Sequence, residues 1–211
     1  MAGRRKDTIR NLLEARDLPG LVAWVGNTRR ALQALFGQTY DEDPLIRWRA
    51  IEAVGVVAGK VAESEPERLK DFIRRLLWLM NDESGGLGWM APEAIGEVLV
   101  AVPSLRANYS RLFVHFLVEE PFEKGSRHAI FRLGGYDPKP FLPGLETLRS
   151  TLDDPDPAMR GLSLLALAAL VPGEREALAV RFADDHETLP LYGFDTGLLE
   201  DITVARAAGR L

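Results

Sequence analysis

Asp43-Pro44-Leu45-Ile46-Arg47 opens one apolar-striped segment of the chain, and Asp156-Pro157-Ala158-Met159-Arg160 opens another. In each, an aspartate stands where a helix needs an N-cap, its carboxylate placed to accept from the first free backbone N–H groups. Proline follows at the first helical position, where its missing N–H costs nothing. An arginine comes four residues after the aspartate in both copies. Behind the first copy, Ile46, Ala50, Val54, Val57 and Val61 recur at intervals of three and four residues. That spacing predicts an amphipathic helix over Pro44–Val61.

Working outward, the same period predicts short helices over Asp7–Arg16, Pro19–Gly26 and Thr28–Phe36. It predicts longer ones over Pro66–Met80, Pro92–Val102, Leu105–Val118, Lys124–Leu133, Pro140–Leu152, Pro157–Leu170 and Glu174–Ala183, with Pro, Gly and acidic turns between them. Helices of this length on short connectors read as stacked pairs. Aligning the small residue of each second helix gives Ala50, Ala94, Ala129 and Ser163, at intervals of 44, 35 and 34 residues. Apolar positions agree across these copies: Ile46, Met90 and Met159, then Val54, Val98, Leu133 and Leu167. A period in this range is the signature of a helical-pair array.

The pattern Asp-Pro-x-apolar-Arg-x-x-small-x-x-Ala at Asp43–Ala53, matched at Asp156–Ala166, resembles the HEAT-repeat family, including the HEAT-like repeats of phycobilin lyases. The resemblance covers roughly Thr28–Leu170, and the Gly-Gly-x-Gly-Trp-x-Ala-Pro-Glu-Ala-x-Gly-Glu stretch is similar to bacterial HEAT-repeat proteins. It implies an all-α fold: a right-handed α-α superhelix, or HEAT-like solenoid, of four to five helical pairs. One domain is expected over 1–211, with cap helices at 1–27, repeats at 28–171 and a C-terminal cap at 172–211. In that cap, Leu189–Phe194, a turn at Asp195-Thr196-Gly197 and Leu198–Val204 read as a β-hairpin, with a short helix after it. Such caps cover the apolar ends of a solenoid.

The stretch that departs most from the array is Asn81–Glu97, which carries four glycines, Trp89 and four carboxylates, Asp82, Glu83, Glu93 and Glu97. Glycine lets backbone approach a partner closely. In a helical-pair solenoid the second helices line the concave face, about 10 Å apart. On the first of them the core stripe leaves Trp48, Arg49 and Glu52 directed away from the core. The matching positions on the next two include Glu93, then Arg127 and His128. The candidate binding set is therefore Trp48, Arg49, Asp82, Glu83, Gly86, Trp89, Glu93, Glu97, Arg127 and His128. Two readings stand side by side: a pocket walled by tryptophans, or a polar ladder between repeats.

Composition bounds the chemistry. Without cysteine, disulfides, thiolate chemistry and Cys-ligated metal are excluded. The acidic Asn81–Ser84 loop lacks the spacing of a calcium loop. Gly85–Gly88 lacks the Lys-Ser/Thr of a phosphate cradle, so no metal and no cofactor is expected. Net charge is −5, and residues 81–211 carry 12 basic and 20 acidic side chains, which opposes a nucleic-acid partner. The longest apolar run, Leu162–Val171, is too short to span a bilayer, and basic Met1–Arg10 leads into no apolar run, so a cytoplasmic setting is expected.

The leading expectation is a non-catalytic binding or scaffold module that presents a groove to a protein partner. The resemblance also carries an alternative, an enzyme on the same scaffold with lyase or DNA-glycosylase-like activity.

Overall fold

The computed structural model describes residues 2–25, 30–81 and 88–209, with side chains from Thr8 onward. The chain groups into two compact units: Met1–Pro103 with Tyr192–Leu199, and Ser104–Leu191 with Glu200–Leu211.

The first unit is built on α1 (Ala2–Glu14), α2 (Leu18–Val25), α3 (Ala31–Phe36), α4 (Pro44–Ser64), α5 (Pro66–Met80) and α6 (Ala91–Ala101). The longest, α4, is its centre: α1, α2, α3, α5 and α6 all pack on it. It begins as the sequence requires. Asp43 accepts from Leu45 N–H at 2.8 Å, and Asp41 in turn accepts from Asp43 N–H at 3.0 Å. The whole stripe from Ile46 to Val61 is buried, as are Ala94 and Val98 of α6. Close approach of α4 and α6 depends on Gly55, where a Cβ would stand 3.0 Å from Glu97 Cβ.

The second unit contains α7 (Arg106–Tyr109), α8 (Leu112–His115), α9 (Glu123–Gly134), α10 (Leu145–Ser150), α11 (Pro157–Leu170), α12 (Arg175–Arg181) and α13 (Val204–Gly209). Here α9 and α11 form the principal helix pair, with α13 packed on α11. The entry to α11 repeats that of α4: Asp156 accepts from Ala158 N–H at 2.8 Å, and Asp154 accepts from Asp156 N–H at 2.9 Å. Ala129 and Ser163, the small residues used to set the repeat register, are both fully buried.

Two expected helices are not continuous. Leu105–Val118 divides into α7 and α8, because around Ser110 the backbone bonds shorten to the i−3 pattern, with Phe113 N–H on Ser110 O and Val114 N–H on Arg111 O. Pro140–Leu152 opens as a 3-10 turn over Lys139–Gly144, since Pro143 has no N–H to give to an α-turn. The hairpin forms where expected: β1 (Thr188–Gly193) pairs with β2 (Leu198–Thr203) in a two-stranded sheet. Its turn ends on Gly197 at φ 70°, a left-handed conformation that glycine adopts without strain.

Candidate functional site

The candidate residues fall into three local groups. The first surrounds Glu52 on α4. Arg16, held at φ 50° just past α1, sends Nε and Nη2 to the two carboxylate oxygens of Glu52 at 3.0 and 2.6 Å. Its guanidinium also donates to the Phe194 and Asp195 carbonyls in the hairpin turn. Tyr192 donates its hydroxyl to Glu52 Oε2 at 2.6 Å and stacks on Trp48, with ring centroids 5.9 Å apart and planes 6° from parallel. Arg49 donates to Leu13 O and Glu14 O at the end of α1, and to Gly197 O. The carbonyls at a helix C-terminus lack intrahelical partners, so Arg49 satisfies them and complements the helix dipole.

This arrangement corrects one expectation. The face of α4 that carries Trp48, Arg49 and Glu52 is not directed outward. It is covered by Arg16 and the hairpin turn, with Trp48 and Arg49 half-buried and Glu52 buried. Pairing with Glu52 raises the Arg16 pKa, and burial together with the Glu52 hydrogen bond raises that of Tyr192. Both groups are thereby fixed in their ordinary protonation states at neutral pH.

The second group lies at the start of α6. Gly88 rests against the backbone of α5: a Cβ there would stand 3.2 Å from Leu79 C and O and 3.3 Å from Met80 N. The side chains that follow and precede this contact, Trp89 and Trp78, are 63% and 61% exposed. Trp78 escaped the sequence reading because its helix, α5, is accounted for by an apolar stripe that leaves it out, with Phe72, Leu76 and Met80 four residues apart and all buried. Four residues after Trp89, the Glu93 carboxyl is buried, and its Oε2 has no hydrogen-bond partner among the described residues. Burial pushes it up to about 7. Glu97 is buried as well, one turn further along, against Gly55. Asp82, Glu83 and Gly86 lie outside the described residues.

The third group is on α9 in the second unit. Arg127 is wholly buried, its Nε on Ser163 Oγ at 2.9 Å, Nη1 on the Leu117 and Glu123 carbonyls at 3.0 and 2.9 Å, and Nη2 on Thr151 Oγ1 at 3.3 Å. Burial lowers its pKa, while the charges of Glu123 and Asp154 oppose that. His128 is 2% exposed, and burial, aided by the Arg132 charge, holds it down to about 3, so the imidazole is neutral. Beside Arg127 lies a polar hollow of about 410 Å³, with Glu120, Glu123, Lys124, Asp154 and Asp156 in its wall. Lys124 and Asp156 pair across it at 2.6 Å. Among the described residues no cluster of His, Asp or Glu has the form of a metal site, and no helix is long and apolar enough to cross a membrane.

These elements define a helical-repeat protein with a small C-terminal hairpin. No protein-family model and no curated protein matches the chain. Solved structures do match. An engineered protein determined by the Northeast Structural Genomics Consortium superposes with a TM-score of 0.57 at 15% identity, covering 100% of this chain and 90% of that one. A designed armadillo repeat protein superposes at 0.52 and 17% identity, covering 97% and 92%. At such identities the likeness shows the fold alone.

Proposed function

We propose that the chain is a non-catalytic helical-repeat module of the HEAT type that binds a protein segment, with Trp89 and Trp78 as its anchors. The observation that carries this reading is the Gly88–Leu79 contact, which lets two largely exposed tryptophans emerge from adjoining points of backbone in the first unit. Exposed tryptophans are over-represented among the residues that dominate binding energy. Asp82, Glu83 and Gly86, between the two tryptophans in sequence, remain candidate binding residues. Glu93 and Glu97 are both buried, so neither is a contact residue of the tryptophan surface. The repeated Asp-Asp capping at α4 and α11 supports the HEAT assignment.

The test is affinity capture from native lysate with the wild-type chain and with Trp78→Ala and Trp89→Ala, singly and together. A partner retained by wild type and lost from the double variant, at unchanged circular dichroism, is the expected result. If nothing captured depends on either tryptophan, the reading fails. A gel shift with duplex DNA at low salt addresses the glycosylase-like alternative, which requires binding there.

A further inference from the structure

The hairpin tip, residues 192–199, and the face of α4 that it covers both belong to the first unit. The contacts at this seam are of two sorts: those that each side makes with itself, and those that cross.

On the α4 side, Arg16 grips Glu52 at 3.0 and 2.6 Å, and Arg49 is held by the Leu13 and Glu14 carbonyls at 3.2 and 2.6 Å. None of these bonds involves the tip. The tip likewise keeps its own shape. Gly197 N–H donates to Gly193 O at 2.7 Å, Leu198 N–H donates to Thr196 Oγ1 at 3.3 Å, and the Phe194 ring meets the Tyr192 ring edge-on with centroids 5.1 Å apart. Few contacts cross. The Tyr192 hydroxyl meets Glu52 and its ring lies on Trp48, while the Phe194, Asp195 and Gly197 carbonyls accept from Arg16 and Arg49. Within the tip only Tyr192 and Gly197 are buried.

Two preformed surfaces that meet through a few directed contacts sit together as a ligand sits on its receptor. Groups already held in place lose little freedom when they take a guest. A seam that buries little apolar surface opens at less cost than a core does. The seat also specifies what it accepts. Trp48 offers a flat platform for an aromatic ring. The Glu52 carboxylate beyond it accepts and does not donate, so the ring must carry a donor, as the Tyr192 phenol does at 2.6 Å. Both guanidiniums take main-chain carbonyls, which any sequence supplies, so selectivity rests on the tyrosine.

We propose that this face of α4 is a binding site for a tyrosine-bearing turn of a partner protein, and that residues 192–199 fill it as a resident competitor. Trp48, Glu52, Arg16 and Arg49 are its contact groups. A guest has to displace the tip, which the chain presents to its own site at high effective concentration. The site is thus autoinhibited. It is separate from the tryptophan surface and does not depend on it.

The probe is a synthetic peptide of residues 188–203, cyclised through its ends, fluorescently labelled and titrated into the full chain. In Tyr192→Ala the resident tip has lost both its ring and its hydroxyl, so the peptide is expected to bind about tenfold or more tightly than to wild type. With that variant, replacing the peptide's tyrosine by phenylalanine should weaken binding about ten- to hundredfold, the worth of one hydrogen bond to a charged group. Adding Glu52→Gln should shrink that difference, which a merely structural tip would not show at all. A second measurement leaves Tyr192 in place and decides the matter even if Tyr192→Ala does not fold. In the chain labelled with fluorotyrosine, saturating peptide should move the fluorine resonance of Tyr192 to that of an exposed tyrosine. Trp78→Ala and Trp89→Ala should alter none of these results, so failure of the anchor reading and failure of this one are separable. A Tyr192 resonance unmoved by millimolar peptide, a folded Tyr192→Ala chain that binds no peptide, or equal affinity for the tyrosine and phenylalanine peptides overturns the proposal.

Discussion

Tyr192 donates to Glu52 Oε2 at 2.6 Å from 140 positions away in the chain, and Arg16 holds the same carboxylate through two nitrogens. Hydrogen bonds to charged groups contribute about 1.5–3 kcal/mol each, more than neutral ones. Replacing Tyr192 by Phe leaves the stacking on Trp48 and removes only the hydroxyl. We expect Tyr192→Phe to lower stability by about 2 kcal/mol in urea unfolding. Glu52→Leu should cost more, because the Arg16 guanidinium loses its carboxylate partner in a half-buried place. In a double-mutant cycle with Arg16→Met the two changes should couple strongly rather than add.

Glu93 makes the first unit sensitive to alkali. Its folded pKa lies near 7 against an ordinary 4.5, because burial disfavours the carboxylate. A carboxyl raised in this way takes up its proton more readily folded than unfolded. The stability it confers is complete below pH 4.5 and is lost as pH rises through 7. The full swing is on the order of 3 kcal/mol. Glu93→Gln should flatten the pH dependence between 5 and 8 and be more stable than wild type at pH 8, as urea midpoints at both pH values will show.

His128 acts in the opposite direction within the second unit. Its folded pKa is held down to about 3 against 6.5, so the unfolded chain binds the proton first. The stability that depends on neutral His128 is present above pH 6.5 and is lost as pH falls through 3. Hydrogen exchange on α9, corrected for intrinsic rates, should show protection falling between pH 6 and pH 4. In His128→Phe that fall should largely disappear. Should both proteins lose protection alike, the acid response has another origin.

How legible this was depends on the distance over which each feature is specified. Asp43 and Asp156 could be read as caps because the partner N–H lies two residues ahead, and Pro44 and Pro157 mark the same boundary. The hairpin was visible for the same reason, with strand alternation on either side of Asp195-Thr196-Gly197. Ala50, Ala94, Ala129 and Ser163 were placed in equivalent register by period alone, and all four are buried. What escaped was non-local. Nothing near Trp48 or Arg49 indicates that a turn 148 residues later will offer Gly197 O to Arg49, and backbone carbonyls leave no mark in composition. The same holds for Glu93 and His128: charge argued for solvent, and only the packing of neighbouring helices buries them. Trp78 was hidden by a stripe that explained its helix without it.

Two glycines of α4 separate packing from propensity. In a helix interior glycine is about 1 kcal/mol less favourable than alanine, so Gly→Ala should stabilise wherever the added methyl has room. At Gly59 it has: the nearest atom to a Cβ would be Ala101 Cβ at 3.8 Å, an ordinary contact. At Gly55 the same methyl would meet Glu97 Cβ at 3.0 Å and the Glu97 carbonyl oxygen at 3.1 Å, and backbone in the middle of α6 cannot yield as a side-chain tip can. Overpacking of this kind costs about 1–3 kcal/mol, which exceeds the gain in propensity. We therefore expect Gly59→Ala to raise the urea midpoint and Gly55→Ala to lower it. Because both substitutions carry the same intrinsic gain, their difference isolates the contact between α4 and α6. Equal stabilisation by the two would mean that these helices stand further apart than Gly55 and Glu97 place them.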